Sequence, residues 1–213
     1  MPKTRTLLLL LLAILSLAWL SSSGYWKKTK PSSTSNRPKE YSSASRSMQI
    51  LQLKAAEAKL FVERNNYNAS VCFLVDMTLP SGQNRFFVYD LAMDSVEAAG
   101  LVTHGCCNQE WLQGRKYGNT VGCGCTSLGK YKIGNQYYGQ FGLAFKLYGL
   151  EKTNDNAFAR FVVLHSHSCV PESQVTDDIC QSNGCPTVAP GFLLQLKTII
   201  NHSKKPVLLW IFE

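Results

Sequence analysis

Phe161-Val162-Val163-Leu164-His165-Ser166-His167-Ser168 is an apolar run that ends on a histidine. Such a run reads as a strand, and the end of a strand holds an imidazole rigidly against a pocket. Runs of the same kind recur at Val71–Met77, Arg85–Leu91, Val96–Thr103, Lys130–Ile133, Gly142–Leu147 and Val207–Ile211. Turn signals such as Pro80-Ser81-Gly82 and Asn154-Asp155-Asn156 separate several of them. Helical periodicity is found in two places. Ile50, Leu51, Leu53, Ala55, Ala58, Leu60 and Phe61 mark a helix that ends before Asn65-Asn66. Phe192, Leu193, Leu196, Ile199 and Ile200 mark a second over Gly191–His202, with Pro190 near its start. Many short strands between an N-terminal and a C-terminal helix predict a mainly β domain, a sandwich or a partly closed barrel.

Outward from this pattern, the chain of 213 residues suits one domain behind a leader. Lys3 and Arg5 precede an apolar run of 14 residues from Leu7 to Leu20, broken only by Ser16. Residues 1–20 therefore read as a signal peptide, or as an uncleaved signal anchor with Trp19 and Trp26 at the interface. Either reading puts the domain outside the cytoplasm, with membrane contact only through an uncleaved leader. Residues 21–46, rich in Ser, Lys, Pro and Thr, read as a flexible tether, and residues 47–213 as the folded domain. The formal net charge of +8 belongs to the leader and tether: residues 1–47 carry eight basic residues and one acid, Glu40. From residue 48 on there are fourteen basic and thirteen acidic residues, so the domain lacks the global excess that a nucleic-acid binder carries.

The second decisive stretch is Ser182-Asn183-Gly184-Cys185-Pro186-Thr187-Val188. Gly184 lets another backbone come close, and Pro186 stiffens the exit. A substrate carbonyl would meet the Cys185 sulfur and nearby backbone N–H groups together, which is what a tetrahedral oxyanion needs. The thiolate is the attacking form, so a histidine must take the proton or pair with the sulfur. A third group orients that imidazole, and with no acid placed for it a backbone carbonyl is the candidate. By spacing alone, Cys185 and His165 read as ordinary structural residues sooner than as catalytic ones.

The order of motifs carries more. His104-Gly105, Ser127-Leu128-Gly129, Tyr138-Gly139-Gln140-Phe141-Gly142, Gly149-Leu150, Asn156-Ala157 and Arg160 precede His165 and the Gly184-Cys185-Pro186 stretch. From about residue 72 to 211 this resembles the murein L,D-transpeptidase catalytic domain family. The resemblance implies an L,D-transpeptidase-like fold with Cys185 as nucleophile and His165 as general base. Gly184 and Cys185 N–H groups would form the oxyanion hole, with Ser182 and Asn183 supporting the loop. It implies attack on the third residue of a peptidoglycan stem tetrapeptide, loss of D-Ala, and transfer of the acyl group to an amine of another stem. No metal or organic cofactor is implied, and the place is the periplasm or cell envelope of a bacterium. An L,D-carboxypeptidase, another wall peptide hydrolase and a non-catalytic wall-binding module are the alternatives. Ser166 stands where the wider family has Gly, Asn183 where it often has His, and Thr187 where it commonly has Arg. The last departure removes a carboxylate-binding cation, for which Arg160, Lys130 and Lys132 are the candidates.

Further residues carry two readings each. His167 shares a face with His165 in an extended chain, so it competes as the base, touches substrate, or completes a His-x-His metal pair. His104 lines the pocket or is a surface histidine before a turn. Tyr137, Tyr138 and Phe141 stack on substrate or pack in the core, and Ser166 is a further candidate substrate contact. Cys72 reads as a small buried apolar residue. Cys106, Cys107, Cys123, Cys125, Cys169 and Cys180 form up to three disulfides in an oxidising compartment, with Cys169 and Cys180 bridging the loop between His165 and Cys185. Zinc held by Cys123, Cys125, Cys106 and His104 is the rival.

Overall fold

The computed structural model describes residues 43–213, so the leader reading and nearly all of the tether fall outside the described residues. The chain runs α1 (Ser43–Arg64), β1 (Val71–Asp76), β2 (Phe86–Asp90), β3 (Ser95–Gly100), β4 (Gly129–Gly139) and β5 (Gly142–Gly149). It continues through β6 (Val163–Ser166), β7 (Thr187–Val188), α2 (Pro190–His202) and β8 (Leu208–Phe212). Helix α1 begins at Ser43, a few residues inside the stretch read as tether.

All eight strands form one mixed sheet in the order β3-β2-β1-β8-β4-β5-β6-β7. The pairs β1/β8 and β6/β7 are parallel and the rest antiparallel. Alternation explains why β1 and β8 read as unbroken apolar runs. Phe73, Val75, Leu209 and Ile211 enter one core together with Phe192, Leu193 and Leu196 of α2. Cys72, Leu74, Leu208 and Trp210 enter another, beneath Leu51, Ala55, Ala58 and Val62 of α1. A strand covered on both faces has no polar face to show. The four α1 residues recur at helical spacing, which lays one stripe on the sheet.

Helices, not a second sheet, therefore cover the faces, and the domain is mainly β without being a sandwich or a closed barrel. The sheet still curls. The chain leaving β3 returns to β7 through a bridge between Val102 and Val188, and Thr103 N–H donates to Thr187 O at 2.9 Å. That return brings Thr103 beside the Cys185 loop. Two features were not foreseen: the two-residue β7, and the extension of β4 to Gly139, past the expected end at Ile133.

Candidate active site

The loop carrying Cys185 is fixed from both sides. Ser182 N–H donates to His104 O at 2.9 Å and Cys106 N–H donates to Ser182 O at 2.7 Å. Ser182 Oγ accepts from Gly184 N–H at 3.2 Å and donates to Cys185 O at 2.7 Å, closing a tight turn. Thr103 Oγ1 adds a donor to the same carbonyl at 3.2 Å. Gly184 has φ +104°, and a Cβ there would lie 2.5 Å from Cys125 O. Only glycine lets these backbones approach so closely. Arg160 braces the underside: Nη1 donates to Gly118 O at 2.9 Å and to Ser127 Oγ at 2.5 Å, and Nη2 donates to Cys125 O.

His165 is buried near the end of β6, paired in register with Ala144 of β5 and Thr187 of β7. Its Nδ1 lies 3.1 Å from Ser166 O, and a carbonyl only accepts, so Nδ1 carries the proton of the neutral ring. Nε2 is then the lone-pair nitrogen, and Thr187 Oγ1 donates to it at 3.0 Å. The ring of Phe141, from the β4–β5 hairpin, stacks on His165 at 4.8 Å and meets His167 edge-on at 6.3 Å.

The Cys185 sulfur is half-buried and faces the entry to β6. It lies 3.8 Å from Phe161 O, to which the thiol donates, and Val163 N–H donates to it at 3.5 Å. Burial raises the thiol pKa, against smaller opposing effects of the Val163 N–H and Arg160. Burial lowers the His165 pKa; the Ser166 carbonyl opposes this and His167 adds to it. Both groups rest neutral near pH 7, and neither ring nitrogen of His165 hydrogen-bonds the sulfur.

Cys185, His165, His167, Ser182, Asn183 and Thr187 line one cavity of about 210 Å³, with Phe141 as a further wall. Other candidates sit elsewhere. His104 is behind the loop: Arg85 Nη2 donates to its Nδ1 at 3.1 Å and its buried Nε2 has no partner. Burial and Arg85 push its pKa down to about 4. The pocket reading of His104 is thus corrected, because buried Arg85, just before β2, draws the ring inward. Tyr138 is exposed and outside the cavity, and Ser166 serves through its carbonyl. Lys130 pairs with Glu151 at 2.9 Å, and Lys132 lies over the Tyr148 ring at 5.0 Å. No Lys or Arg lines the cavity, Arg160 included.

Bridges join Cys169 to Cys180 and Cys107 to Cys125, while Cys106 and Cys123 remain thiols. The Cys107–Cys125 bridge uses a sulfur that the zinc reading required, and no described cluster of three or more His, Cys, Asp or Glu has metal-holding geometry. Sequence reasoning treated Thr187 as a missing arginine and overlooked its hydroxyl. The signal for it was its place in a strand parallel to β6, visible only after pairing.

The profile of the L,D-transpeptidase catalytic domain matches residues 42–212. No curated protein matches. Among solved structures, a mutant of the helical cell shape determining protein Pgp2 from Campylobacter jejuni is similar at 12% identity and TM-score 0.43. The alignment covers 76% of this chain and 55% of that one, so the chain spans about half the length of that protein. A family match over nearly the whole described region, with a cysteine and a histidine in one cavity, leads to one identification: the chain belongs to the L,D-transpeptidase catalytic domain family.

Proposed function

We propose that the chain is a cysteine-dependent L,D-transpeptidase acting on peptidoglycan stem peptides. The observation that carries this reading is the pairing of His165: Nδ1–H on Ser166 O leaves Nε2 as a base in the same cavity as the Cys185 thiol. Because both groups rest neutral, attack is coupled to proton transfer. The thiol turns from Phe161 O toward His165, and Nε2 releases the Thr187 hydroxyl to take the thiol proton. Sγ bonds to the carbonyl carbon of the third stem residue, and Cys185 N–H stabilises the oxyanion. Gly184 N–H joins when it leaves Ser182 Oγ.

The bond to D-Ala then breaks, the leaving amine takes the proton from Nε2, and a thioester remains. The amine of a second stem attacks the thioester, its proton passes through His165 to the departing sulfur, and an amide crosslink forms. With no Lys or Arg lining the cavity, hydrogen-bond donors hold the D-Ala carboxylate. Cys169 N–H donates to His167 Nδ1 at 3.1 Å, which leaves His167 Nε2–H as one such donor. Asn183 accepts the Cys106 thiol at Oδ1, leaving its amide nitrogen as another.

Chromatography of defined tetrapeptide muropeptides incubated with wild type and Cys185→Ser tests the reaction. Expected is a dimer crosslinked between two third residues with wild type and no product with the variant. A tripeptide monomer alone would make the enzyme a carboxypeptidase, and equal turnover by Cys185→Ser would remove the cysteine from the mechanism.

A further inference from the structure

A second cleft, of about 690 Å³, opens between β4, β5 and the turn after α2, and shares no lining residue with the Cys185 cavity. Lys132, Lys204 and Lys205 line it, together with Asn135, Asn201 and Tyr148, and no Asp or Glu does. The domain balances fourteen basic against thirteen acidic residues, so three lysines without an acid reflect local segregation. The ion pairs among the described residues involve Lys54, Arg115 and Lys130, and none takes these three lysines. Three ammonium groups around one opening repel one another until an anion sits among them.

The walls of the cleft are held in place. The β4–β5 register breaks between Ile133 and Gln136, which displaces Asn135 from the ladder. A Cβ on Gly134 would lie 2.5 Å from Tyr148 Cε2, so glycine is what lets that ring lie across the strand. Asn201 Nδ2 donates to Gln136 Oε1 at 3.5 Å, tying α2 to the bulge. The Lys204-Lys205 turn is pinned by Ser203 Oγ, which accepts from Asn68 Nδ2 at 2.6 Å and donates to Lys205 O at 2.5 Å.

The same hairpin serves both sites. Phe145 of β5 lines the cleft and Phe141 at the tip lines the Cys185 cavity. Phe145 is four positions beyond Phe141, a span of about 13 Å in extended chain, roughly the length of a four-residue peptide. We infer that the cleft is a second binding site for the wall polymer, holding a carboxylate-bearing peptidoglycan segment while a neighbouring stem reaches Cys185. The lysines supply the charge, and the Asn135 and Asn201 amides suit peptide and sugar groups. This inference rests on the reading of Cys185 as a peptidoglycan nucleophile.

The test is co-sedimentation of the full chain with purified peptidoglycan sacculi, comparing wild type with Lys204→Gln/Lys205→Gln. Binding of the variant should weaken roughly tenfold and lose much of its salt dependence, as expected when paired charges are removed. Lys204→Arg/Lys205→Arg should bind like wild type. Acylation of Cys185 by a soluble single-stem muropeptide should be unchanged in all of them. Equal sedimentation of wild type and the Gln variant overturns the inference. So does a Gln variant that loses binding only to anionic phospholipid vesicles, which would make the occupant a membrane surface. If wild type is not acylated at all, the catalytic reading fails by that readout, while sedimentation still reports on the cleft.

Discussion

The strands β1 and β8 and the strands β6 and β7 belong to one sheet but are held by different means. The first pair runs six and five residues, every one buried, between cores that α1 and α2 cover. The second pair runs four and two residues; side-chain hydrogen bonds from Thr103 and Ser182 hold the Cys185 carbonyl just before it, and Thr187 ties it to His165. Arg160 braces the neighbouring Cys125 strap, and a disulfide spans Cys169 and Cys180. Apolar burial is non-directional and tolerates adjustment, whereas hydrogen bonds fix atoms in place. The division assigns stability to the centre of the sheet and the position of the reacting atoms to its edge.

Substitutions should separate the two regions. In the centre, Leu74→Ala removes a fully buried side chain and should cost about 2–5 kcal/mol in denaturant unfolding. The rate of Cys185 acylation, measured below the unfolding transition, should hardly change. A large rate loss there would mean the edge depends on central packing. At the edge, Gly184→Ala places a Cβ against Cys125 O on a positive-φ backbone. It should slow acylation about 100-fold by misplacing the nucleophile, for about 1–3 kcal/mol of strain. Stability loss without rate loss would show that the loop geometry is not what positions the sulfur.

Thr187→Val is the smallest change and the sharpest on the chemistry. Its hydroxyl donates to the lone pair of His165, which favours the neutral ring. Burial already holds the His165 pKa below its usual ~6.5, so the base stays unprotonated down to a pH under that value. Acylation should therefore fall only as pH drops through the lowered pKa, and Thr187→Val should move that acidic limb to higher pH. The rate change should stay within roughly tenfold, because the acid–base group itself remains. A pH profile with an unmoved acidic limb would mean that the Thr187 contact does not tune the base.

The same division explains what the sequence made legible. The central strands announce themselves as apolar runs because they are buried on both faces, and α1 and α2 do so by their stripes of core residues. The edge is legible only through motif order. His104 and His165 each precede a short polar word, yet Arg85 draws one ring behind the loop while parallel pairing sets the other beside Thr187. Those partners are 19 and 22 residues away in the chain, beyond any local pattern. The cysteine pairing was ambiguous for a similar reason: Cys106 and Cys107 are adjacent in the chain, yet the Cys106 thiol turns to Asn183 while Cys107 pairs with Cys125.

The most direct test is the intact mass of the full chain after brief exposure to a disaccharide-tetrapeptide, with peptide mapping of the adduct. The expected result is a covalent increment equal to the muropeptide less D-Ala, on Cys185 alone, absent in Cys185→Ala and strongly reduced in His165→Ala. An unmodified wild-type protein, or an adduct on Cys106 or Cys123, would contradict the assignment of Cys185 as the nucleophile.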